Sequence, residues 1–279
     1  MPGILYVVAT PIGNLEDMTF RAIRVLREVA VIAAEDTRRT ARLLQHYSIS
    51  TPTTSLHQHN ERTRSARLID RLREGQSVAL VSDAGTPVIS DPGTDLVAAA
   101  HAAGIKVEPV PGPSAAIAAA SASGFDSPQL LFVGFPPSKA TARKKWLSEL
   151  RDESRVIVFY EAPHRVRESL DDLLATFGDR RVAIGRELTK KHEELVVLPI
   201  SEYLARLVEP RGEFTIVVSP PEPSEEICQV PDGTALVAEF GEMTKLCPGS
   251  RRDAVRVLAE KYHLPTREMY RLLQNARHG

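Results

Sequence analysis

The amino-acid sequence predicts an α/β protein with two α/β domains, a cleft between them and a small helical module at the C-terminal end. Short β-branched runs alternate with helical patterns along the first part of the chain. A second set of such runs follows a stretch rich in Ala and Ser, and a proline-rich segment precedes the last residues. With 279 residues, 43% of them hydrophobic, the chain can bury a sizeable core.

The first α/β domain is predicted to span residues 1–116. Buried strands are indicated by four apolar runs bounded by turn residues, at 4–9, 29–34, 78–82 and 106–110. Between them, segments 19–28 and 60–74 have apolar residues at helical spacing. Alternation of strands and helices favours a mainly parallel sheet.

The second α/β domain is predicted over residues 117–220. Its strands are indicated by five further runs, at 130–134, 155–160, 181–186, 195–198 and 214–219. The joint between the domains is the small-residue stretch 114–124, which predicts a closely packed helix. A cleft between two such domains is a natural ligand site.

Residues 221–231 are acidic and rich in proline, which predicts a linker, and residues 232–279 form the predicted helical module. Ser250 and Asp253 resemble a capping box, and the segment 264–266 predicts a turn between two short helices. From residue 251 onward there are seven basic and three acidic residues, a net charge of +4. Two interpretations stay open, a helix-turn-helix that binds RNA and the solvated surface of a helical cap.

The formal net charge of the whole chain is −1, so any contact with nucleic acid must use local basic patches. Cys228 and Cys247 have neither metal-site spacing nor the number needed for a disulfide framework. No leader or membrane segment is evident, which predicts a cytoplasmic protein. Neither a P-loop nor an H-E-x-x-H motif is present, and His57 with His59 is too little for a metal site, so no metal is expected.

Three loops rich in Gly or Pro follow predicted strands, at 10–15, 82–93 and 111–115. Because ligands collect at the carboxyl ends of strands in α/β sheets, these loops favour one shared pocket. Asp83 is free to accept hydrogen bonds from a ribose or an amino group. Asp91 and Ser114 are expected to be helix N-caps.

Charged residues follow other predicted strands and are candidates for chemistry or for RNA contact. Glu161 or Glu187 could accept a proton, while Arg186 or Lys190 could hold a phosphate or lower a hydroxyl pKa. The competing interpretation is a lattice of salt bridges that supports the loops. Seven further residues are candidates for RNA contact: Asp36, Arg38, Arg39, His59, Asn60, His164 and Arg165.

Two of these interpretations have local structural alternatives. Thr37 is a plausible N-cap, so the segment around Arg38 could simply begin a helix. Trp146, together with Arg143, Lys144 and Lys145, could stack on and hold RNA, but Leu147 and Leu150 on the same predicted helix favour a core position for Trp146.

In this order along the chain, five motifs together resemble the small-subunit rRNA methyltransferase I family: TPIGNL at 10–15, AEDTR at 34–38, SDAGTP at 82–87, DPG at 91–93 and PGPSA at 111–115. Four more motifs continue the resemblance: GFP at 134–136, YEAPHR at 160–165, RELTK at 186–190 and GEF at 212–214. The resemblance covers residues 3–219. That family belongs to the tetrapyrrole methylase superfamily, whose members have two α/β domains.

The resemblance implies 2′-O-methylation of a cytidine ribose in the decoding centre of 16S rRNA, within the 30S subunit, by a homodimer that uses S-adenosyl-L-methionine. It also implies the residues that line the cofactor cleft: Pro11, Asp83, Gly85, Thr86, Ser114, Ala115, Phe135, Pro136, Tyr160, Gly212 and Glu213. The first loop lacks the glycine-rich form of the porphyrinoid-modifying relatives. A porphyrinoid methylase and a non-catalytic RNA-binding assembly factor remain alternatives.

Overall fold

The computed structural model describes residues 1–126, 128–221, 231–246, 251–262 and 264–278. It divides into two compact units, Met1–Pro220 and Pro221–Gly279. Most of the predicted linker, both cysteines and Ser250 lie outside the described residues. Within the described ranges, none of the helices combines the length and the apolar character that a membrane crossing requires.

The first sheet has five strands, β1 (Leu5–Val8), β2 (Val31–Ala34), β3 (Thr53–Ser55), β4 (Val78–Val81) and β5 (Val107–Val110). Their order is β3-β2-β4-β1-β5, and every pair is parallel, which confirms the predicted parallel sheet. The sequence did not predict β3, because its three residues are Thr and Ser, which form no apolar run.

Five helices accompany this sheet, α1 (Phe20–Glu28), α2 (Thr37–His46), α3 (Glu61–Arg73), α4 (Thr94–Ala102) and α5 (Ala115–Ala122). Helices α1 and α2 pack on one face of the sheet, and α3 and α4 pack on the other. Both faces are therefore buried, which explains why β2 and β4 are apolar throughout.

Two predicted N-caps are wrong. Asp36, and not Thr37, caps α2, because its carboxylate accepts a hydrogen bond from the backbone N–H of Arg38 at 2.9 Å. Asp91 does not cap α4, which begins at Thr94 after Gly93. Instead the Glu61 carboxylate of α3 accepts hydrogen bonds from the backbone N–H groups of Gly93 and Asp95, at 2.9 and 2.8 Å. This long-range contact leaves Asp91 available to the cavity described below.

The second sheet also has five strands, β6 (Leu130–Phe132), β7 (Val156–Glu161), β8 (Arg181–Arg186), β9 (Glu194–Pro199) and β10 (Phe214–Val218). Their order is β6-β7-β10-β8-β9, and only β6 and β7 pair in parallel among these strands. Helices α6 (Ala140–Glu149), α7 (Val166–Phe177) and α8 (Ile200–Arg206) pack on one face.

Helix α5 covers the other face of the second sheet. Its Ala116 and Ala119 are buried against Val158, Ala183 and Val217, and their small side chains allow this close approach. The helix therefore starts at the end of β5 in the first sheet and packs on the second. The division of Met1–Pro220 at residues 116 and 117 stays a prediction.

Arg143 of α6 is buried rather than available to RNA, which contradicts that interpretation for this residue. Its side chain is 2% exposed, and its Nε lies 2.7 Å from Oδ2 of Asp172 on α7. Trp146 packs against the same core, with its ring edge-on to Phe159 at a centroid distance of 6.2 Å. The core position of Trp146 is thus confirmed.

The C-terminal unit contains helices α9 (Gly233–Leu246), α10 (Arg251–Lys261) and α11 (Thr266–His278). They share a small apolar core that includes Leu236, Phe240, Leu258, Met269 and Leu273. The predicted turn between two helices is confirmed between α10 and α11, where Leu264 donates its backbone N–H to the carbonyl of Ala259.

Candidate functional site: a cavity between two sheets

A cavity of about 420 Å³ lies within Met1–Pro220, between the strand ends of the two sheets. The first sheet contributes residues that follow β2, β4 and β5. The second sheet contributes the end of β7 and the beginning of β10, which are neighbours because these strands are antiparallel and Glu161 pairs with Phe214. Its lining is Ile12, Glu35, Arg39, Asp83–Thr86, Ile89–Asp91, Ser114, Ala115, Phe135, Tyr160–Pro163 and Glu213–Thr215.

The first two strand-end loops are joined by a short bridge of backbone hydrogen bonds. Thr10 and Gly85 exchange two N–H to carbonyl bonds, both of 2.9 Å. Gly85 has a φ of +75°, a conformation that side chains with a Cβ rarely adopt. The backbone conformation therefore favours glycine where the loops meet at the cavity wall.

Three carboxyl groups face the cavity from the first sheet, those of Glu35, Asp83 and Asp91. Arg39 lies 3.2 Å from Oδ2 of Asp83 and supplies the opposing charge. Burial, followed by the charge of Asp83, raises the pKa of Glu35. Burial raises the pKa of Asp91 to about 6, against a hydrogen bond from Ser82. The cavity is therefore a site that favours a cationic ligand.

Aromatic side chains form the opposite wall. The Tyr160 ring contacts the rings of Phe132 and Phe135, at centroid distances of 5.0 and 5.5 Å. The Tyr160 hydroxyl accepts a hydrogen bond from the backbone N–H of Ala116 at 3.3 Å, which links the wall to the start of α5. Phe135 is 53% exposed, so its ring offers apolar surface to a planar ligand.

Glu161 borders the cavity, but its carboxylate is fully enclosed. Its side chain is 0% exposed and lies 3.2 Å from Nε of Arg165. It also accepts hydrogen bonds from the backbone N–H of Ala162 and from the Ser169 hydroxyl. Arg165 in turn donates to the carbonyl of Pro136 at 2.6 Å. Glu161 and Arg165 thus hold two cavity loops together.

A second charged cluster joins the loop 187–190 to the turn 212–213. Lys190 Nζ lies 2.8 Å from Oε1 of Glu187 and 3.0 Å from Oε2 of Glu213. The same Glu187 oxygen accepts the backbone N–H of Glu213 at 3.0 Å. The hydrogen bond from Lys190 lowers the pKa of Glu187. Because Glu213 lines the cavity, this cluster fixes part of its wall.

The loop 187–190 also contacts the loop that follows β1. Thr189 accepts a hydrogen bond from the backbone N–H of Asn14 at 3.0 Å. A Cβ on Gly13 would lie 2.4 Å from Cγ of Lys190, so only glycine fits at this contact. The two α/β layers are therefore connected at the rim of the cavity by loops far apart in sequence.

The comparisons with known proteins identify the family. Residues 4–204 match the model of the tetrapyrrole (corrin/porphyrin) methylases. A Pseudomonas aeruginosa protein named ribosomal RNA small subunit methyltransferase I is 51% identical over 233 residues, covering 81% of this chain and 83% of that protein. The chain belongs to the small-subunit rRNA methyltransferase I family of tetrapyrrole methylases.

Other relatives support membership in this family over nearly the whole chain. The methyltransferase I of Xylella fastidiosa is 46% identical over 274 residues, covering 96% of this chain and 98% of its own. Among solved structures, a cobalt-precorrin-4 methyltransferase matches with a TM-score of 0.59 at 16% identity, over 77% of this chain and 94% of that chain. A uroporphyrin-III C-methyltransferase from Thermus thermophilus matches with a TM-score of 0.56 at 22% identity, over 78% of this chain and 94% of that chain. These structures confirm the fold.

As a member of the methyltransferase I family, the protein uses S-adenosyl-L-methionine as its methyl donor. The cavity fits this molecule, which has a sulfonium and an ammonium group, because three carboxyl groups face it. The exposed ring of Phe135 can pack against the adenine. The volume is also within the usual range for small-molecule sites.

Eight of the eleven residues expected around the donor line the cavity: Asp83, Gly85, Thr86, Ser114, Ala115, Phe135, Tyr160 and Glu213. The other three, Pro11, Pro136 and Gly212, lie next to lining residues in the chain and are not themselves part of the lining. Direct contact of any of these residues with the donor stays a prediction.

Of the four residues expected to be catalytic, Glu161 alone borders the cavity. Arg186 instead pairs with Glu194 on β9, at 3.0 Å, and Glu187 and Lys190 belong to the cluster around Glu213 described above. Their catalytic roles stay predictions, but these ion pairs are those that the salt-bridge interpretation expects.

Of the seven residues expected to contact RNA, Arg39 lines the cavity and the other six lie outside its lining. Arg38 is paired with Asp36 and has an 88% exposed side chain. Asn60 accepts a hydrogen bond from the backbone N–H of His57, and the rings of His57 and His59 contact each other edge-on. These roles also stay predictions.

Two of the five acidic residues that line the cavity, Glu35 and Asp91, were not predicted to be site residues, whereas Asp83, Glu161 and Glu213 were. Glu35 directly follows β2, so the strand-end rule that selected Asp83 would also have selected Glu35. Asp91 was assigned to a helix cap that Glu61 provides instead. The described residues contain no group of three or more His, Cys, Asp or Glu side chains arranged to hold a metal ion.

Proposed function

We propose that this enzyme transfers a methyl group from S-adenosyl-L-methionine to the 2′-hydroxyl of a cytidine ribose in the decoding centre of 16S rRNA, within the 30S subunit. The observation that carries the proposal is the identity of 46% over 96% of the chain with a protein named ribosomal RNA small subunit methyltransferase I. The choice of the cytidine ribose rests on the nine motifs that resemble the family. Such a substrate also places the enzyme in the cytoplasm.

The reaction is an in-line displacement at the methyl carbon of the donor. A bond forms between the ribose oxygen and the methyl carbon, the bond from that carbon to sulfur breaks, and the sulfonium becomes a neutral thioether. The hydroxyl proton must leave as the oxygen becomes an ether. The enzyme contributes by holding both reactants close and in line, and by accepting this proton.

Glu35 suits the role of proton acceptor better than the two residues that the sequence suggested. Its carboxyl group faces the cavity, and its raised pKa makes the carboxylate a stronger base. The Glu161 carboxylate is enclosed by its own hydrogen bonds, and Lys190 lowers the pKa of Glu187. We therefore propose Glu35 as the acceptor, with Glu161 and Glu187 as residues that position the cavity walls.

Exposed arginines beside the cavity support an RNA substrate. The side chains of Arg38 and Arg39 are 88% and 64% exposed, and guanidinium groups suit phosphate recognition. The porphyrinoid alternative rests on the description of the family model, tetrapyrrole (corrin/porphyrin) methylases, and on solved structures that are 16–22% identical, a level that shows the fold alone.

We also propose that the enzyme is a homodimer, as the resemblance implies. Phe20 is 93% exposed and Ile117 is 59% exposed, and a contact with a second copy would remove such apolar surface from water. Light scattering of the purified protein should give twice the mass of the chain, and a monomer at working concentration would contradict this.

Methylation of 30S subunits from a strain lacking the protein tests the function. With labelled donor and excess enzyme, we expect one methyl group per subunit, mapped by mass spectrometry to a single cytidine ribose. Glu35→Gln should slow this single turnover by about a hundredfold, because a general base contributes on that order. Glu28→Gln, on the exposed end of α1, is the matched control. If mass spectrometry found no new ribose methyl group on either naked RNA or subunits, the proposal would be refuted.

A further inference from the structure

A groove on the C-terminal unit lies between α10 and α11 and has a volume of about 490 Å³. Its lining combines three arginines with an aromatic ring and polar side chains: Arg252, Val255, Thr266, Arg267, Tyr270, Arg271 and Gln274. None of these residues belongs to the cavity between the sheets. The groove is large enough to accept a nucleotide, and its chemistry differs sharply from that of the acidic cavity.

The positive charge in this groove is only partly neutralised by ion pairs among the described residues. Its lining contains no carboxylate among the described residues. Within the same part of the chain, neither Arg252 nor Arg267 has an ion-pair partner, and Arg271 lies 3.9 Å from Glu268. Lys261 on the same unit, by contrast, is paired with Glu239. Three guanidinium groups close together favour a polyanionic partner, although the chain as a whole has a net charge of −1.

Tyr270 gives the groove a stacking surface. Tyr270 is 52% exposed, whereas Met269 and Leu273 on the same helix are buried in the core at 0% and 5%. A second cavity of about 110 Å³, bordered by Phe240, Val255, Tyr270 and Gln274, lies beside it. The aromatic ring is therefore accessible next to space that a flat ring could fill.

We propose that this groove binds a single-stranded segment of the RNA, with one unpaired base stacked on Tyr270 and the neighbouring phosphates held by Arg252, Arg267 and Arg271. The proposal rests on the proposed function, because it assigns the groove to the same RNA substrate. An aromatic platform requires an unstacked base, which a continuous duplex does not offer. Gln274 and Thr266 provide hydrogen-bonding groups at the edge of the stacked base.

Fluorescence anisotropy of the full-length protein with a labelled 12-nucleotide single-stranded RNA tests the groove directly. Tyr270→Ala should weaken binding by roughly tenfold, the usual scale for losing one base–aromatic stack, while Tyr270→Phe should bind as the wild type does. Arg267→Gln should weaken binding and reduce its dependence on salt. Arg24→Gln, at an exposed position of α1, is the control for a lost surface charge.

The outcomes separate this inference from the proposed function. With 30S subunits, Tyr270→Ala should raise the KM for the subunit and leave kcat and donor affinity unchanged. If the wild-type enzyme methylates subunits and the groove variants match it in RNA binding and KM, the inference is overturned and the function stands. If single-stranded RNA binds through the groove but no ribose is methylated, the function fails and the groove assignment stands. If Tyr270→Ala and Tyr270→Phe lost the same amount of RNA affinity, or if a blunt duplex bound more tightly than the single strand, stacking on Tyr270 would be overturned.

Discussion

At the scale of single residues, the carboxyl groups of Glu35, Asp83 and Asp91 make the wall of the cavity acidic. They converge from two loops, with Glu35 following β2 and both Asp83 and Asp91 following β4, and burial raises the pKa of Glu35 and of Asp91. Arg39 faces Asp83 and balances part of the negative charge. A cationic ligand would complete this balance, so the protonation of these groups should be linked to donor binding.

Donor binding should therefore depend on pH near the raised pKa of Asp91. The folded protein without ligand keeps a proton on Asp91 up to about pH 6, above the pH at which the unfolded chain loses it. Any stability from this raised pKa is thus present at low pH and is lost as the pH rises through 6. A cationic donor favours the ionised carboxylate, so donor affinity should rise as the pH rises through the same range.

Titration calorimetry between pH 5 and 8 measures this linkage. Asp91→Asn should flatten the pH dependence and weaken donor binding at pH 7.5 by about tenfold, the equivalent of one pKa unit. Some dependence should remain, because the pKa of Glu35 is also raised. Asp95→Asn, on the exposed start of α4, should behave like the wild type. An unchanged pH profile in Asp91→Asn would rule out this role for Asp91.

At the scale of elements, the cavity is shaped by loops that fold against each other rather than by the helices and strands themselves. Glu187 and Thr189 have φ values of +51° and +66°, and Gly212 has a φ of +85°. This backbone conformation places the Glu187 carboxylate against the turn that begins with Gly212. The carboxylate there accepts a hydrogen bond from the backbone N–H of Glu213. The position of the cavity wall at Glu213 therefore depends on residues outside the cavity.

Gly212→Ala should disturb this wall. A Cβ at this position would lie 2.4 Å from Cγ of Glu187, so Glu187 must move and release Glu213. We expect donor binding to weaken by roughly three- to tenfold, the scale of one lost hydrogen bond, together with a loss of stability of about 1 kcal/mol from the positive φ. Calorimetry and thermal unfolding measure the two effects.

Gly104→Ala is the matched control, because Gly104 has a φ of +68° and no atom within 4 Å of the Cβ position. It should lose the same stability and keep full donor affinity. Equal donor affinity in both variants would mean that the turn at Gly212 does not shape the cavity.

At the scale of the whole molecule, the two proposed binding sites lie in different compact units. Every residue that lines the acidic cavity lies in Met1–Pro220, and every residue that lines the basic groove lies in Pro221–Gly279. Under these proposals, one unit carries the residues for the donor and for chemistry, and the other carries the residues that bind the phosphates and an unpaired base of the RNA.

A chain that ends at Pro220 keeps every residue that lines the acidic cavity. It should therefore bind the donor with an affinity within about twofold of the full-length protein. Its methylation of 30S subunits at limiting concentration should fall by about tenfold or more, as one stacked base and its phosphate contacts are lost. Calorimetry and labelled-donor assays measure both quantities. Full activity of the shortened chain would show that the C-terminal unit does not contribute to substrate binding.

The sequence by itself determined the fold class, nine of the ten strands described and the three strand-end loops around the cavity. Hydrophobic periodicity and Gly/Pro punctuation are local signals, so they can be read without knowing what a segment packs against. The same locality explains why eight of the eleven expected donor residues line the cavity, since most lie in or beside strand-end loops.

Only the tertiary structure decided which charged side chains face the ligand and which support the loops. Glu161 is enclosed by Arg165 and Ser169, and Asp91 lines the cavity because Glu61, and not Asp91, caps α4. Thr189 contacts Asn14 across 175 positions of sequence. A carboxylate has the same appearance in a sequence whether it is a base, a cap or half of an ion pair. Its partners come from strand pairing and loop contacts between distant segments, which no local pattern encodes.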